Sequence, residues 1–298
     1  NFYITTPIYY VNDKPHIGHA YTTIACDIIA RYQKLNGKNV FFLSGTDEHG
    51  QKVEKAAIQQ NQKPQDFVDK MSKNFKDLIP FLNCDTNNFI RTTEKRHIKA
   101  SQFLWSKLVK NNQIYLSNYE GWYSVRDEAF YQESELTKKD NNFFAPTGAK
   151  VDWVKEESYF FKLSEWEEKL LKFYKKNPNS ILPKSRYNEV ISFIKSGLKD
   201  LSISRTTFQW GIPVPNHNNH IMYVWIDALC NYLTAIGYPD QNNENFIKFW
   251  PGYHIVGKDI LRFHAVYWPA FLMAADLEPP KRIFAHGWWT NEGQKISK

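Results

Sequence analysis

The chain has 298 residues, 42% of them hydrophobic and 16% aromatic with ten tryptophans, which is enough for one large or two smaller packed domains and excludes a disordered chain. Lys and Arg outnumber Asp and Glu by 38 to 31, so a polyanionic partner is plausible, and no apolar run approaches the ~18 residues of a membrane span. The charge is uneven: residues 1–112 carry 16 basic and 10 acidic side chains, residues 113–200 carry 14 of each, and residues 201–298 carry eight and seven. The footprint of any polyanion is therefore expected on the first third, a general basic bias of composition being an equal reading of the same charge.

In chain order, the apolar, β-branched run Phe2–Tyr10 predicts a buried strand, and its position at the start predicts no signal or transit peptide. Gly18 to Leu35 predicts a helix stopped by Asn36-Gly37. Val40–Ser44 reads as a short buried strand, Gln51–Gln60 as a helix, Pro64 as the opening of another, and Glu94–Lys110 as a third. From about Gln113 to Asp200 the pattern becomes short alternating stretches, such as Glu120–Val125 and Ser158–Phe161. One amphipathic helix follows them, with Leu163, Trp166, Leu170 and Phe173/Tyr174 on one face. After residue 200 the αβ alternation returns. Tyr223–Trp225 is expected to be a strand leading into a helix at Asp227–Ile236, Tyr253–Val256 a strand leading into a helix at Asp259–Met273, and Arg282–Ala285 a further strand. The expectation is a doubly wound, parallel, Rossmann-like α/β sheet, with a mostly β module inserted at 113–200 between halves at 1–112 and 201–298.

In such a sheet ligands bind at the carboxyl ends of the strands, and the unusual motifs are expected there: Pro7–His19, Ser44–Gly50, Trp225–Asp227, Gly257–Asp259 and His286-Gly287. No phosphate loop of the G-x4-G-K-[ST] type and no G-x-G-x-x-G occurs. Instead His16-Ile17-Gly18-His19 follows the first strand and opens a helix, where backbone N–H groups can hold an anion. Lys295-Ile296-Ser297-Lys298 lies in a polar stretch and offers two cations and a hydroxyl suited to phosphates. Cys26, Cys84 and Cys230 fit no metal motif or disulfide framework, which points to a reducing cytosol. His217-Asn218-Asn219-His220 has ligand-like spacing, but its Pro/Asn surroundings favour a solvated turn.

The two motifs at opposite ends resemble HIGH and KMSKS, the signatures of class I aminoacyl-tRNA synthetases. The whole chain is similar to the methionyl-tRNA synthetases of bacterial type, on Thr5–Asn12, Gly45–Gly50, Glu120–Tyr123, Tyr223–Ala228, Gly257–Ile260 and His286–Trp288. That resemblance implies ATP-dependent activation of L-methionine to methionyl-adenylate, with Mg²⁺ accompanying ATP, then transfer to the terminal adenosine of tRNA(Met), in the cytoplasm. It implies His16, His19, Lys295 and Lys298 as catalytic residues acting on the triphosphate. Tyr10, Trp225, Ala228, Leu229, Tyr232, Ile260, His264 and Trp268 would line a methionine side-chain pocket, core being as good a reading for Trp268. Asp47 would bind the ammonium beside the Ile8 backbone. It implies Gly18 and Trp288 beside the adenine, Asp259 after the Gly257-Lys258 turn on the ribose, and Arg205 and His286 near the nucleotide. A stand-alone nucleotidyltransferase would share an H-x-G-H turn, but the 113–200 insertion and the aromatic pocket argue against that reading.

Two departures stand out. Many family members carry a zinc knuckle of C-x2-C pairs in the insertion, whereas here those positions read Ser124 and Asp127, and Ala145–Gly148, so no structural zinc is expected. The family also continues past the lysine motif into an anticodon-binding domain, which is expected to be absent from this chain, leaving tRNA binding weak.

Overall fold

The computed structural model of the chain describes residues 1–140, 142–291 and 294–295. The first half runs β1 (Phe2–Thr5), β2 (Tyr9–Tyr10), α1 (Ile17–Leu35), β3 (Val40–Asp47), α2 (Gln51–Gln59), α3 (Pro64–Phe81), β4 (Asn88–Arg91) and α4 (Lys95–Lys110). An antiparallel module follows, with β5 (Ile114–Ser124), β6 (Ala129–Tyr131), β7 (Thr137–Lys139), β8 (Asn142–Phe144) and β9 (Lys150–Phe161). Then come α5 (Glu167–Lys176), β10 (Ile181–Leu182), α6 (Lys184–Lys195), β11 (Leu201–Ser202), β12 (Ser204–Arg205), β13 (Pro213–Val214) and β14 (His217–Met222). The chain continues through α7 (Val224–Thr234), α8 (Glu244–Phe249), β15 (Tyr253–Gly257), α9 (Trp268–Ala274), β16 (Arg282–His286), β17 (Thr290–Asn291) and β18 (Gln294–Lys295).

The main sheet is parallel, in the order β10-β16-β15-β1-β3, with β2 continuing along the β1 edge of β3 and β4 on its other edge. All of β1 is buried, as a parallel strand covered on both faces requires. The chain builds outward from β1 through β3 and β4 on one side, then through β15 and β16 on the other. Strand order therefore reverses between β1 and β15, and parallel pairing puts every carboxyl end on one edge. The crevice where a ligand fits lies there. The loops after β1, β3, β15 and β16 carry Pro7–His19, Glu48–Gly50, Lys258-Asp259 and Gly287-Trp288, so four of the five expected motifs share that edge.

The fifth departs from expectation. Tyr223–Trp225 is not a strand; α7 begins at Val224, and the strand before it is β14, which pairs antiparallel with β12 and β13 outside the main sheet. A short apolar run suits a buried strand or a buried helix equally, and here helix wins. His217–His220 is likewise no solvated turn. His220 is 1% exposed, with Nδ1 at 3.0 Å from Ser204 Oγ and Nε2 at 3.2 Å from Glu157 Oε1, so its polar atoms are satisfied inside. The helix expected at Asp259–Met273 is present as one helical run over 258–274: it opens as a 3₁₀ turn (Lys258–Ile260) and widens to a π turn (Phe263–Tyr267) ahead of α9, where Pro269 has no N–H to donate back to the α ladder.

The insertion's sheet is built on β5 and β9, paired from Ile114↔Phe161 to Tyr123↔Asp152, with β6 on one edge and β8 and β7 on the other. Trp122 packs edge-on to Trp153 at 5.1 Å and against Phe143 at 4.3 Å. Around Ser124, Asp127 and the 145–148 turn, polar groups tie the chain. Asp127 Oδ2 accepts from Tyr131 OH at 2.9 Å and from the Thr147 hydroxyl, Asp127 N donates to Ser124 Oγ at 3.1 Å, and Arg126 donates to Thr147 O at 2.7 Å. The 113–200 stretch is threaded through the rest of the fold: β10 pairs with β16 of the main sheet, and β11, just beyond residue 200, pairs with β9. The sequence showed one helix in this stretch, and α6 is a second one, opening after Pro183.

Candidate active site

The His16–His19 turn is preorganised by its own side chains. His16 caps α1 with Nδ1 accepting from Gly18 N at 3.0 Å, and His19 Nδ1 accepts from His16 N at 3.0 Å. The two rings lie 3.9 Å apart. Because both Nδ1 atoms accept backbone N–H groups, each neutral imidazole carries its proton on Nε2, the correct form for donating to a phosphate oxygen. Burial, with His16 beside it, pushes His19 down to about 3, so His19 acts as a neutral donor at physiological pH. A Cβ at Gly18 would sit 2.9 Å from His16 Cε1, so only glycine lets the cap form. The bonds that cap the helix thus leave each imidazole in the tautomer an anion-binding role requires.

Four carboxylates surround the end of β3, and their partners separate their roles. Glu48 is fully committed: it accepts from Arg91 at 2.7 and 3.0 Å, from Thr46 at 2.7 Å and from Thr93 at 2.5 Å. Asp227, from the first turn of α7, faces His49 Nδ1 and His97 Nε2, each at 2.7 Å. Burial alone would raise its carboxyl, but the two imidazoles hold it below the usual range, so it is ionised. Glu128 lies 2.5 Å from the Tyr10 hydroxyl. Asp47 is 6% exposed, and its Oδ1 has no hydrogen-bond partner among the described residues. Burial, then the charges of Asp227, Glu128 and Glu48, hold Asp47 well above the usual carboxylate range. A buried carboxylate without a cation is costly, and an incoming ammonium removes that cost.

Beside Asp47 the α7 residues Trp225, Ala228, Leu229 and Tyr232 recur at helical spacing, which places them on one face. Trp225 stacks on Phe263 at 3.8 Å with an interplanar angle of 5°, and Tyr232 stacks on His254 at 4.0 Å. His264 donates from Nδ1 to Ile260 O at 3.0 Å and shares a hydrogen bond at Nε2 with Tyr232 OH at 2.8 Å, and burial lowers its proton affinity so that the ring is neutral. Ile8, Tyr10, Trp225 and Ile260 are only partly buried and complete an aromatic and aliphatic wall. Trp268 is fully buried, 6.3 Å from Tyr232, and forms the floor beneath that wall.

On the other side of the crevice, His286 pairs with Gly257 in register and meets Thr22 Oγ1 of α1 at 2.9 Å, which ties the end of β16 to the His16–His19 helix. Asp259 stands in the first turn after Gly257, and Lys258 covers the Trp288 ring at 4.0 Å. Arg205 sits apart from this group. It is 2% exposed, caged by Phe130 at 4.3 Å, Tyr223 at 4.7 Å and Tyr123 at 5.2 Å, with Nε and one Nη lacking hydrogen-bond partners among the described residues. Lys295 lies on β18, paired with Thr290, and Lys298 lies outside the described residues.

The family described as "tRNA synthetases class I (M)" matches residues 2–141 and 141–298. The chain belongs to the class I tRNA synthetases. It is 66% identical to the methionine–tRNA ligase of Rickettsia bellii and 56% identical to that of Brucella melitensis, in both cases over its full length. It spans 58% of each of those relatives. Among solved structures, the Mycobacterium tuberculosis methionyl-tRNA synthetase in complex with methionyl-adenylate matches with a TM-score of 0.97 at 51% identity, over 99% of this chain and 58% of that one. The free state of the same Mycobacterium enzyme matches with a TM-score of 0.85 at 49% identity, over 96% of this chain and 56% of that one. The synthetase core is thus a Rossmann-like α/β fold, as its sequence predicts.

His49, His97, Asp227, Glu128 and Phe263 also build the site and were given no role from sequence. His49 and Asp227 lie inside motifs quoted for other residues. Glu128 carries no local signal, since its partner Tyr10 is 118 positions away.

Proposed function

We propose that this chain is the catalytic core of a methionine–tRNA ligase, which activates L-methionine with ATP and transfers it to tRNA(Met). The observation that carries this reading is Asp47, a buried carboxylate with no ion-pair partner among the described residues, paired in register with Tyr10 and within electrostatic reach of Asp227 on the helix that carries Trp225 and Tyr232. Asp47 holds the α-ammonium beside the Ile8 backbone. The wall takes the thioether side chain, which is apolar and polarizable and suits aromatic neighbours. Ala228, Leu229 and Ile260 fill the gaps between the rings.

The methionine carboxylate oxygen forms a bond to the α-phosphorus of ATP as the bond to pyrophosphate breaks, and the leaving oxygen takes that electron pair. No covalent enzyme intermediate is needed; positioning and charge stabilisation supply the rate. The Nε2–H groups of His16 and His19 donate to phosphate oxygens, Lys295 and Lys298 supply cations, and Mg²⁺ enters with ATP. Gly18 and Trp288 border the adenine, Asp259 takes the ribose hydroxyls, and Gly257 and His286 shape the turn around them. Arg205 reaches the nucleotide only by leaving its aromatic cage. The chain as a whole matches the adenylate-bound relative at a TM-score of 0.97 and the free one at 0.85, which supports reading its fold as nearer the adenylate-bound form.

Transfer to tRNA is proposed for the whole protein, because the relatives extend beyond the matched span. Residues 113–200 act as the connective insertion, held by Trp122 packing and the Asp127 hydrogen bonds in place of zinc. No helix among the described residues is long and apolar enough to cross a membrane, and we place the enzyme in the cytoplasm. The test is amino-acid-dependent ATP–pyrophosphate exchange across the standard amino acids. Methionine alone should support it, and exchange driven equally by another amino acid overturns the reading.

A further inference from the structure

Glu128 lies on the turn between β5 and β6 with φ +47°, a left-handed backbone that costs a non-glycine residue about 1 kcal/mol or more. The side chain leaves the insertion and enters the catalytic half: its carboxyl is 2.5 Å from Tyr10 OH, while its backbone carbonyl accepts from Tyr223 OH at 2.6 Å. The residue is 5% exposed. At Gly50 an added Cβ would lie 2.5 Å from Tyr10 OH and 2.6 Å from Glu128 Oε1, so glycine there leaves room for the contact.

We propose that Glu128 is a positioning residue for amino-acid binding: it holds the Tyr10 hydroxyl and thereby ties the insertion to the pocket wall next to Asp47. The inference rests on the reading of Tyr10 as a wall of the methionine pocket. It follows from counting protons. The Tyr10 hydroxyl has one hydrogen but two acceptors within reach, His49 O at 2.8 Å and Glu128 Oε1. Both contacts are hydrogen bonds only when the Glu128 carboxyl brings a second proton.

Burial pushes that carboxyl up to about 7, against the pull of Tyr10, Lys52 and Arg205. Asp47 and Tyr123 also face it, from β3 and β5. When protonated, Glu128 donates to Tyr10 and Tyr10 donates to His49 O, fastening the loop two residues after Asp47. When ionised, Glu128 draws the Tyr10 hydrogen to itself and His49 O loses its donor.

The test uses the full-length protein and methionine-dependent exchange. Glu128→Ala should raise the KM for methionine about tenfold, as for one lost buried hydrogen bond, with the KM for ATP and kcat nearly unchanged. Glu128→Gln keeps a donor, so it should restore the methionine KM and abolish its rise as the pH passes through about 7. In a Tyr10→Phe background, Glu128→Ala should add nothing further. Should Glu128→Ala fail to fold, Glu128→Gln and Tyr10→Phe with their double variant complete the comparison. An active wild type whose methionine KM ignores Glu128→Ala, or a loss equally large without the Tyr10 hydroxyl, overturns the proposal. A wild type without methionine-dependent exchange removes the pocket reading first, and this inference with it.

Discussion

Replacing Asp47 by Asn preserves the shape of the side chain and removes its charge, and the surroundings of Asp47 give two opposite consequences. The α-ammonium loses its ionic partner in a site from which water is excluded. Breaking one side of a buried charge pair costs about 2–5 kcal/mol, and a value near 3 corresponds to roughly 150-fold in kcat/KM for methionine. The KM for ATP should stay within about twofold, since no phosphate or ribose group depends on this residue. The empty protein should respond the other way. Asp47 is held well above its ordinary value of 3.8 by burial and three neighbouring carboxylates. From about pH 4 upward to that raised value the native state keeps a proton that the unfolded chain has lost. Its contribution to stability therefore falls as pH rises through that window. Asn removes the repulsion, so Asp47→Asn should unfold at equal or higher urea than the wild type at pH 7, and its stability should depend less on pH. The assays are pyrophosphate exchange with methionine and ATP titrated separately, and urea unfolding followed by tryptophan fluorescence. Methionine kcat/KM within threefold of wild type, or a loss shared equally by ATP, would refute the assignment of Asp47 to the ammonium.

Burial pushes His264 down to about 4 from an ordinary 6.5. Stability is then intact above 6.5 and lost as pH falls toward 4, by about 2 kcal/mol at pH 5, so His264→Gln should flatten the acid side of the urea-midpoint profile. In the full-length protein, Lys298→Ala should lower the exchange kcat by about 10²-fold, as for one lost oxyanion-type donor, with the KM for methionine little changed; weakened methionine binding at an unchanged rate would make the motif a substrate clamp. Asp127→Ala should cost about 1–3 kcal/mol by freeing Tyr131 and Thr147, while a chelator should leave the Tm of the wild type unchanged. Zinc at one per chain in elemental analysis would overturn the hydrogen-bonded account of that turn.

What the sequence disclosed follows from the range over which each signal acts. The first strand, the α1 helix with its Asn36 stop and the Pro64 helix start are local and fall where propensity and capping put them, although the expected Phe2–Tyr10 run divides at Thr6–Ile8 into β1 (Phe2–Thr5) and β2 (Tyr9–Tyr10). Placement of the motifs at one sheet edge was also legible, because alternating strands and helices imply parallel pairing. The failures have nonlocal causes. His220 is polar in sequence and buried in fact, because Ser204 and Glu157 come from other strands to satisfy it. The Tyr223–Trp225 run is ambiguous in period until Asp227 meets His49 and His97, 178 and 130 residues away, which locks the helix in place. Residues 181–182 read as part of an insertion, yet they close the edge of the main sheet against Ile283 and Phe284. No window of sequence contains those pairings.

The four carboxylates near the end of β3 show how a fold selects one group for a ligand. Placed together in a poorly solvated site they repel, and each needs a separate solution. Glu48 takes a guanidinium, and Asp227 takes two imidazoles from different elements. Glu128 takes a hydroxyl and a raised proton affinity. Those partners come from β4, β2, the loop after β3 and α4, and no ion pair to Asp47 is found among the described residues. Asp47 is left with an oxygen that no described residue satisfies, at the strand end that pairs with Tyr10. In the empty site a retained proton moderates that repulsion, and on the proposed function an incoming ammonium, attached to a side chain that suits the Trp225 and Tyr232 wall, replaces that proton. On the proposed function, selectivity requires both conditions together: a free amine without an apolar side chain would leave the wall empty, and an apolar ligand without an ammonium would leave Asp47 repelled by its neighbours.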